Sequence, residues 1–309
     1  MTPIREPAGR DGIRMQRILF ATNFTEASAA ALPYAAALAR AFAAEICVLH
    51  VIPAERYEHL RQDHLEDALR EMKQEAASRI RGLLSESRFS DIPFRVTIDH
   101  GEVLTVVAAF AVREDADLIV AGSHGRHGIQ KLISPAVDEE IACAASRPVL
   151  LIGPEVSIEP EAETHIHGIL HATNFEPKSM PALQYAYALA ETFAAELYLV
   201  HVAENVWREP LSTRMTAEAF CRMRMLEKGL PEHTPALEPH FIVDFGPRET
   251  LILEAAEQQD VQLIVMGLPA IAHPELSSHL PGPLAYDIAS RARCPVLVVR
   301  NAPATEVSG

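Results

Sequence analysis

Short, uninterrupted apolar runs alternate along this chain with longer stretches whose apolar positions recur every three or four residues. Ile18–Ala21, Ile46–Val51, Ala116–Ala121 and Pro148–Ile152 are apolar at nearly every position, as expected of strands covered on both faces, and Phe94–Ile98, with apolar and polar residues alternating, reads as a further strand. Between the first two lies Ala30–Ala43, rich in strong helix formers, with Thr25 or Ser28 as its candidate N-cap. Leu65, Leu69, Met72, Ala76 and Leu83 recur at helical spacing among charges and predict an amphipathic helix; Val103–Val112 predicts a shorter one. Strands alternating with helices specify a parallel sheet wound on both faces.

The pattern occurs twice. Ile18-Leu19-Phe20-Ala21-Thr22-Asn23-Phe24 returns as Ile169-Leu170-His171-Ala172-Thr173-Asn174-Phe175, and the match runs without a gap to His50-Val51 and His201-Val202. Further on, Asp99-His100-Gly101 answers Asp244-Phe245-Gly246, Asp117–Gly122 answers Gln262–Gly267, and Pro148–Ile152 answers Pro295–Val299. Each copy is the size of a domain, so the chain is a duplication and not a repeat array. The expected division is a loose tail over 1–14, one unit over 15–154, an exposed acidic linker over 155–165, a second unit over 166–302 and a tail over 303–309. The closing strand of each unit would leave bare N–H and C=O groups at a sheet edge, and two copies in one chain can cover each other's edges. An internal pseudo-dimer is expected.

Composition narrows the function. The 309 residues carry a formal charge of −15, which argues against nucleic acid as a partner. Met1 to Arg14 is polar and unlike a secretory signal, and no apolar run reaches membrane-spanning length, so a cytoplasmic protein without a membrane partner is expected. Cys47, Cys143, Cys221 and Cys294 are scattered and read as core residues, not as metal ligands or disulfides.

Candidate chemistry gathers after the fourth strand, in Gly122-Ser123-His124-Gly125-Arg126-His127-Gly128. A glycine-rich turn between strand and helix lets backbone amides approach an anion, and the helix adds unpaired N–H donors. The same turn can equally be a tight connection that binds nothing.

Together with the Ala-Thr-Asn-Phe opening, the Leu-His-Val second strand and the closing Pro-Val-Leu strand, this turn resembles the universal stress protein family in its tandem form. The resemblance implies two doubly wound five-stranded parallel sheets of order 3-2-1-4-5, Rossmann-like and related to adenine nucleotide α-hydrolases. It also implies pairing through the fifth strands and a stress-response role without established catalysis. Members that bind nucleotide resemble one another in a motif of Gly, two residues, Gly, nine residues, Gly and Ser or Thr. Gly122 and Gly125 match its first half, while Pro135 and Ala136 stand where the last Gly and hydroxyl residue would be. Proline removes one amide donor and alanine one hydroxyl. Ser134 still suits an N-cap, with Pro135 at the first helical position. Asn23 replaces the Asp common in binders, which removes a carboxylate able to help hold a metal. ATP with Mg²⁺ is therefore a candidate ligand of the first copy, at Ala21, Thr22, Asn23, Val51, Gly122, His124, Gly125, Arg126, Gly128, Ser134, Pro135 and Ala136. The second copy, with Gly267-Leu268-Pro269-Ala270, has lost the second glycine and the arginine. An interaction scaffold that binds no nucleotide is the rival reading.

No GxSxG, HExxH or GxxxxGK[ST] pattern is present, and no catalytic residue is assigned; weak ATPase or nucleotidyl transfer stays open by fold analogy alone. His165, His167 and His171 cluster, but a metal site needs three or four convergent ligands and no carboxylate or Cys stands at matching spacing, so they read as surface histidines beside the linker. Met215–Leu230, with Met223 and Met225, reads as adaptable packing near the second copy's cavity, with a pocket for an apolar ligand as the functional alternative. Further homodimerisation is left open.

Overall fold

The computed structural model describes residues 13–122, 147–156, 164–175, 180–203, 216, 218–220, 222, 237–268 and 284–300. The first copy supplies β1 (Arg17–Ala21), α1 (Glu26–Phe42), β2 (Glu45–Pro53), α2 (Gln62–Leu84), β3 (Phe94–Gly101), α3 (Val103–Arg113), β4 (Leu118–Gly122) and β5 (Val149–Ile152). The second supplies β6 (Gly168–Ala172), α4 (Met180–Phe193), β7 (Glu196–Ala203), β8 (His240–Phe245), α5 (Arg248–Gln258), β9 (Leu263–Leu268), α6 (Leu284–Arg291) and β10 (Val296–Arg300). All ten strands form one sheet in the order β3-β2-β1-β4-β5-β10-β9-β6-β7-β8. Each half is parallel, in the order 3-2-1-4-5. At the seam β5 and β10 pair antiparallel, Leu150 opposite Leu297. The edges that each copy alone would expose thus cover one another.

Alternate residues of the central strands feed two cores, one on each face of the sheet. Ile18, Phe20, Val48 and Val120 pack with α1 and with Ile80 of α2, whereas Leu19, Cys47, Leu49 and Ile119 pack with α3. Both cores continue across the seam into the second copy. Each fully buried Leu, Ile or Phe contributes about 1.5–3 kcal/mol. The doubly buried pattern read from the apolar runs is therefore the cause of the layering. Cys47 and Cys294 are free thiols in one of these cores, and burial pushes the Cys294 thiol up to about 12.

The duplication reaches the backbone dihedrals. Non-glycine residues with left-handed φ come in matched pairs among the described residues: Phe24 (63°) with Phe175 (62°), Ala43 (51°) with Ala194 (52°), and Asp115 (49°) with Asp260 (47°). Asp117 Oδ2 accepts from the backbone N–H groups of Gln16 (2.6 Å) and Arg17 (3.0 Å). Gln262 Oε1 does the same for His167 (3.1 Å) and Gly168 (3.0 Å).

Two expectations need correction. Val156, inside the expected linker, is buried in the core and not exposed. His171 is not a surface histidine: it is 0% exposed, because β6 places it on the same core face that Phe20 fills in β1. His165 and His167 are exposed, and no group of three metal-ligating side chains occurs among the described residues. Cys143, Cys221, Met223 and Met225 lie outside the described residues. No helix among those described is long and apolar enough to cross a membrane.

Candidate functional site

In a parallel sheet with helices on both faces, ligands sit beyond the carboxyl ends of the strands where the winding reverses. Here β1 starts both directions of winding, with β2 on one side and β4 on the other. A cavity of about 320 Å³ opens there. Its walls are Ala21–Phe24 after β1, Leu49–Val51 and Pro53 of β2, Gly122 of β4, Val103 and Val107 of α3, Arg56 after β2 and Arg79 of α2. Of the positions proposed from sequence, Ala21, Thr22, Asn23, Val51 and Gly122 converge on this cavity. His124, Gly125, Arg126, Gly128, Ser134, Pro135 and Ala136 lie outside the described residues.

Local hydrogen bonding sets the shape of the β1–α1 turn. Thr22 and Ser28 share a buried hydroxyl–hydroxyl bond of 2.6 Å, and Thr22 Oγ1 also accepts from Phe24 N–H at 3.2 Å. Asn23 Oδ1 accepts from the backbone N–H (3.1 Å) and the hydroxyl (2.6 Å) of Thr25, and Thr25 caps α1 by accepting from Ser28 N–H. Thr22 is thus committed to the turn, and Asn23 contributes its carbonyl oxygen to it. Gly122 is required by a close approach: a Cβ there would lie 2.6 Å from Ala27 C and Ser28 N of the α1 backbone. The first glycine of the turn is therefore a packing residue as well as a wall of the cavity.

Phe24, His50, Arg56 and Arg79 complete the site without having been singled out in the sequence. The left-handed φ of Phe24 brings its ring to 4.4 Å from the His50 ring, with the Arg79 guanidinium 4.2 Å from its centroid. His50 Nδ1 lies 2.8 Å from Thr22 O, so that nitrogen carries the proton and donates to the carbonyl. Burial lowers the His50 pKa; the Arg79 and Arg56 charges lower it further, against the opposing Thr22 hydrogen bond and Glu75. The ring is neutral at pH 7, with Nε2 as an acceptor. Phe24 and His50 carried a signal, since both recur in the second copy; Arg56 and Arg79 carried none.

The second copy repeats the turn. Phe175 N–H donates to Thr173 Oγ1 (3.1 Å), His201 Nδ1 lies 2.9 Å from Thr173 O, and the Phe175 and His201 rings are 4.1 Å apart. Yet the cavity at its strand ends, between Thr173, Val202, Arg248 and Gly267, measures only about 130 Å³. A separate space of about 60 Å³ lies beside Phe175, His201 and Arg222. Another cavity, about 300 Å³, lies at the seam between Tyr34 of α1 and residues such as Gln262, Arg293 and Cys294. Arg293 there pairs with Glu257 at 3.5 Å. The seam space is lined by Glu257, Asp260 and Arg293, whereas the described lining of the first-copy cavity carries two arginines and no carboxylate.

A duplicated, doubly wound α/β unit, joined through its fifth strands and hollow at its winding reversal, defines the class of protein. The chain belongs to the universal stress protein family, whose model matches residues 15–153 and again 165–300. A universal stress protein of Methanocaldococcus jannaschii is 24% identical over 161 residues, which span 45% of this chain and 96% of that protein. A universal stress protein from Archaeoglobus fulgidus has a TM-score of 0.64 at 19% identity, over 93% of this chain and 96% of its own. A functionally unknown protein from Pseudomonas aeruginosa has a TM-score of 0.55 at 19% identity, over 93% of both chains. These two structures share the tandem fold from end to end.

Proposed function

We propose that the first copy binds one adenine nucleotide per chain and that the protein is a non-enzymatic stress-response module. In this reading the second copy serves as a structural partner. The observation that carries it is the first-copy cavity itself. At about 320 Å³ it reaches the size range of small-molecule sites, which begins at about 300 Å³; its counterpart of about 130 Å³ does not. Apolar walls from Ala21, Leu49, Val51, Val103 and Val107 suit a flat base. Neutral His50 offers an acceptor for an exocyclic amine, which adenine has. The reading assigns no catalytic step. A second reading, a scaffold that binds no nucleotide, is favoured by Pro135 and Ala136, which cannot supply the amide and the hydroxyl of the family's loop.

Calorimetric titration of nucleotide-stripped protein with ATP tests the proposal. One site per chain is expected, and Val107→Trp, which fills the cavity from α3, should abolish it while circular dichroism stays unchanged. Absence of binding at millimolar ATP gives the scaffold reading the lead.

A further inference from the structure

We infer that the anionic group of the bound ligand is held by Arg56 and Arg79, on the β2–α2 side of the cavity, without a magnesium ion. The inference rests on the first copy being the ligand site and adds what holds the charge there.

Three observations carry it. First, the described lining contains two guanidiniums and no carboxylate, in a chain of net charge −15. Second, neither arginine has an ion pair or a hydrogen bond among the described residues, whereas Arg14, Arg17, Arg40, Arg95 and Arg147 are each paired with carboxylates. The Arg79 guanidinium carbon lies over the Phe24 ring, 4.2 Å from its centroid, and a guanidinium held there offers several N–H donors to a phosphate. Both arginines line the same cavity as His50, and both charges act on its ring. Glu75, one helical turn before Arg79, also acts on His50 but lies beyond ion-pairing distance of either arginine.

Third, the other means of holding a phosphate are weakened in this chain. Position 135 is proline and has no N–H, position 136 has no hydroxyl, and position 23 is a carboxamide where a carboxylate could have helped hold a cation. No metal-ligating cluster is found among the described residues. Arginine neutralises phosphate directly and bidentately, so a cation is not required.

The test is calorimetric titration with ATP, adenosine and inorganic pyrophosphate, in EDTA and in Mg²⁺, on the full chain and two variants. Arg56→Gln/Arg79→Gln removes both charges. Arg81→Gln removes one exposed charge from the same helix but away from the cavity. The expected result is ATP binding of equal strength with and without Mg²⁺, weakened about tenfold to several-hundredfold in the double variant and less than about twofold in Arg81→Gln. Adenosine affinity should not change, and pyrophosphate alone should bind the natural chain but not the double variant. ATP binding that requires Mg²⁺, or that the double variant retains, overturns the inference while leaving the nucleotide reading intact. Pyrophosphate binding without ATP binding sustains the arginine site and overturns the nucleotide reading. Binding of neither overturns both.

Discussion

His171 should make the second copy acid-labile by an amount the structure allows one to work out. Its ring is fully buried, with Nδ1 at 3.0 Å from Val265 O and no partner for Nε2 among the described residues. The Nδ1–H bond favours protonation only weakly, and burial wins: the pKa falls from 6.5 to about 4. In the unfolded chain His171 takes up a proton as pH drops below about 6.5, but in the folded chain it resists until about pH 4. The folded state therefore holds its full stability above about pH 6.5, loses it progressively down to about pH 4, and loses no more from this residue below that. At about 1.4 kcal/mol per pKa unit, the loss is about 3 kcal/mol. His50 and His201, both lowered chiefly by burial, act in the same direction, so a variant is needed to isolate His171. His171→Gln removes the titration and keeps an N–H donor for Val265 O. Urea unfolding followed by far-UV circular dichroism from pH 8 to pH 4.5 should show the natural chain losing 2–3 kcal/mol more than the variant, approximately, whatever their offset at pH 8. Parallel losses for the two proteins would mean that His171 does not set the acid sensitivity.

Other perturbations act at single contacts. Gly122→Ala forces a Cβ to 2.6 Å from the α1 backbone and should destabilise the first copy by about 1–3 kcal/mol or more, read as a lower urea midpoint. Gly153→Ala places a Cβ 2.0 Å from Ala289 O, across the seam in α6; amide exchange in β5 and β10 should accelerate while β2 and β7 keep their protection. Thr25→Ala removes the α1 cap and the hydroxyl bond to Asn23, costing about 1 kcal/mol in the same unfolding assay and loosening the turn beside the cavity.

The architecture was legible because burial on both faces of a parallel sheet writes itself as unbroken apolar runs, and because the chain states each run twice. The strands extended past the predicted ends where polar residues follow the apolar run: β3 continues through Asp99-His100-Gly101 along the sheet edge. Thr25 was one of two candidate caps, and the geometry selects it. His171 stands opposite Phe20, a core position, in the self-match, so its burial follows from register where residue type points to the surface. Arg56 and Arg79 were not legible. One follows β2 by a short 3-10 turn and the other sits among many charges on α2, and only the crossing of α2 over the strand ends brings them to one cavity. Gly122 was legible as special, but for an incomplete reason, because the close approach of α1 is a tertiary contact.

The two copies, alike in fold, are proposed to differ in ligand binding. Hydrogen exchange read by mass spectrometry, with and without saturating ATP, tests this difference most directly. Ligand in the first copy should add protection over Ala21–Thr25, Val51–Arg56 and the Arg79 region of α2, with none over Ala172–Phe175 or at Val202. Equal protection in both copies, or none in either, would contradict it.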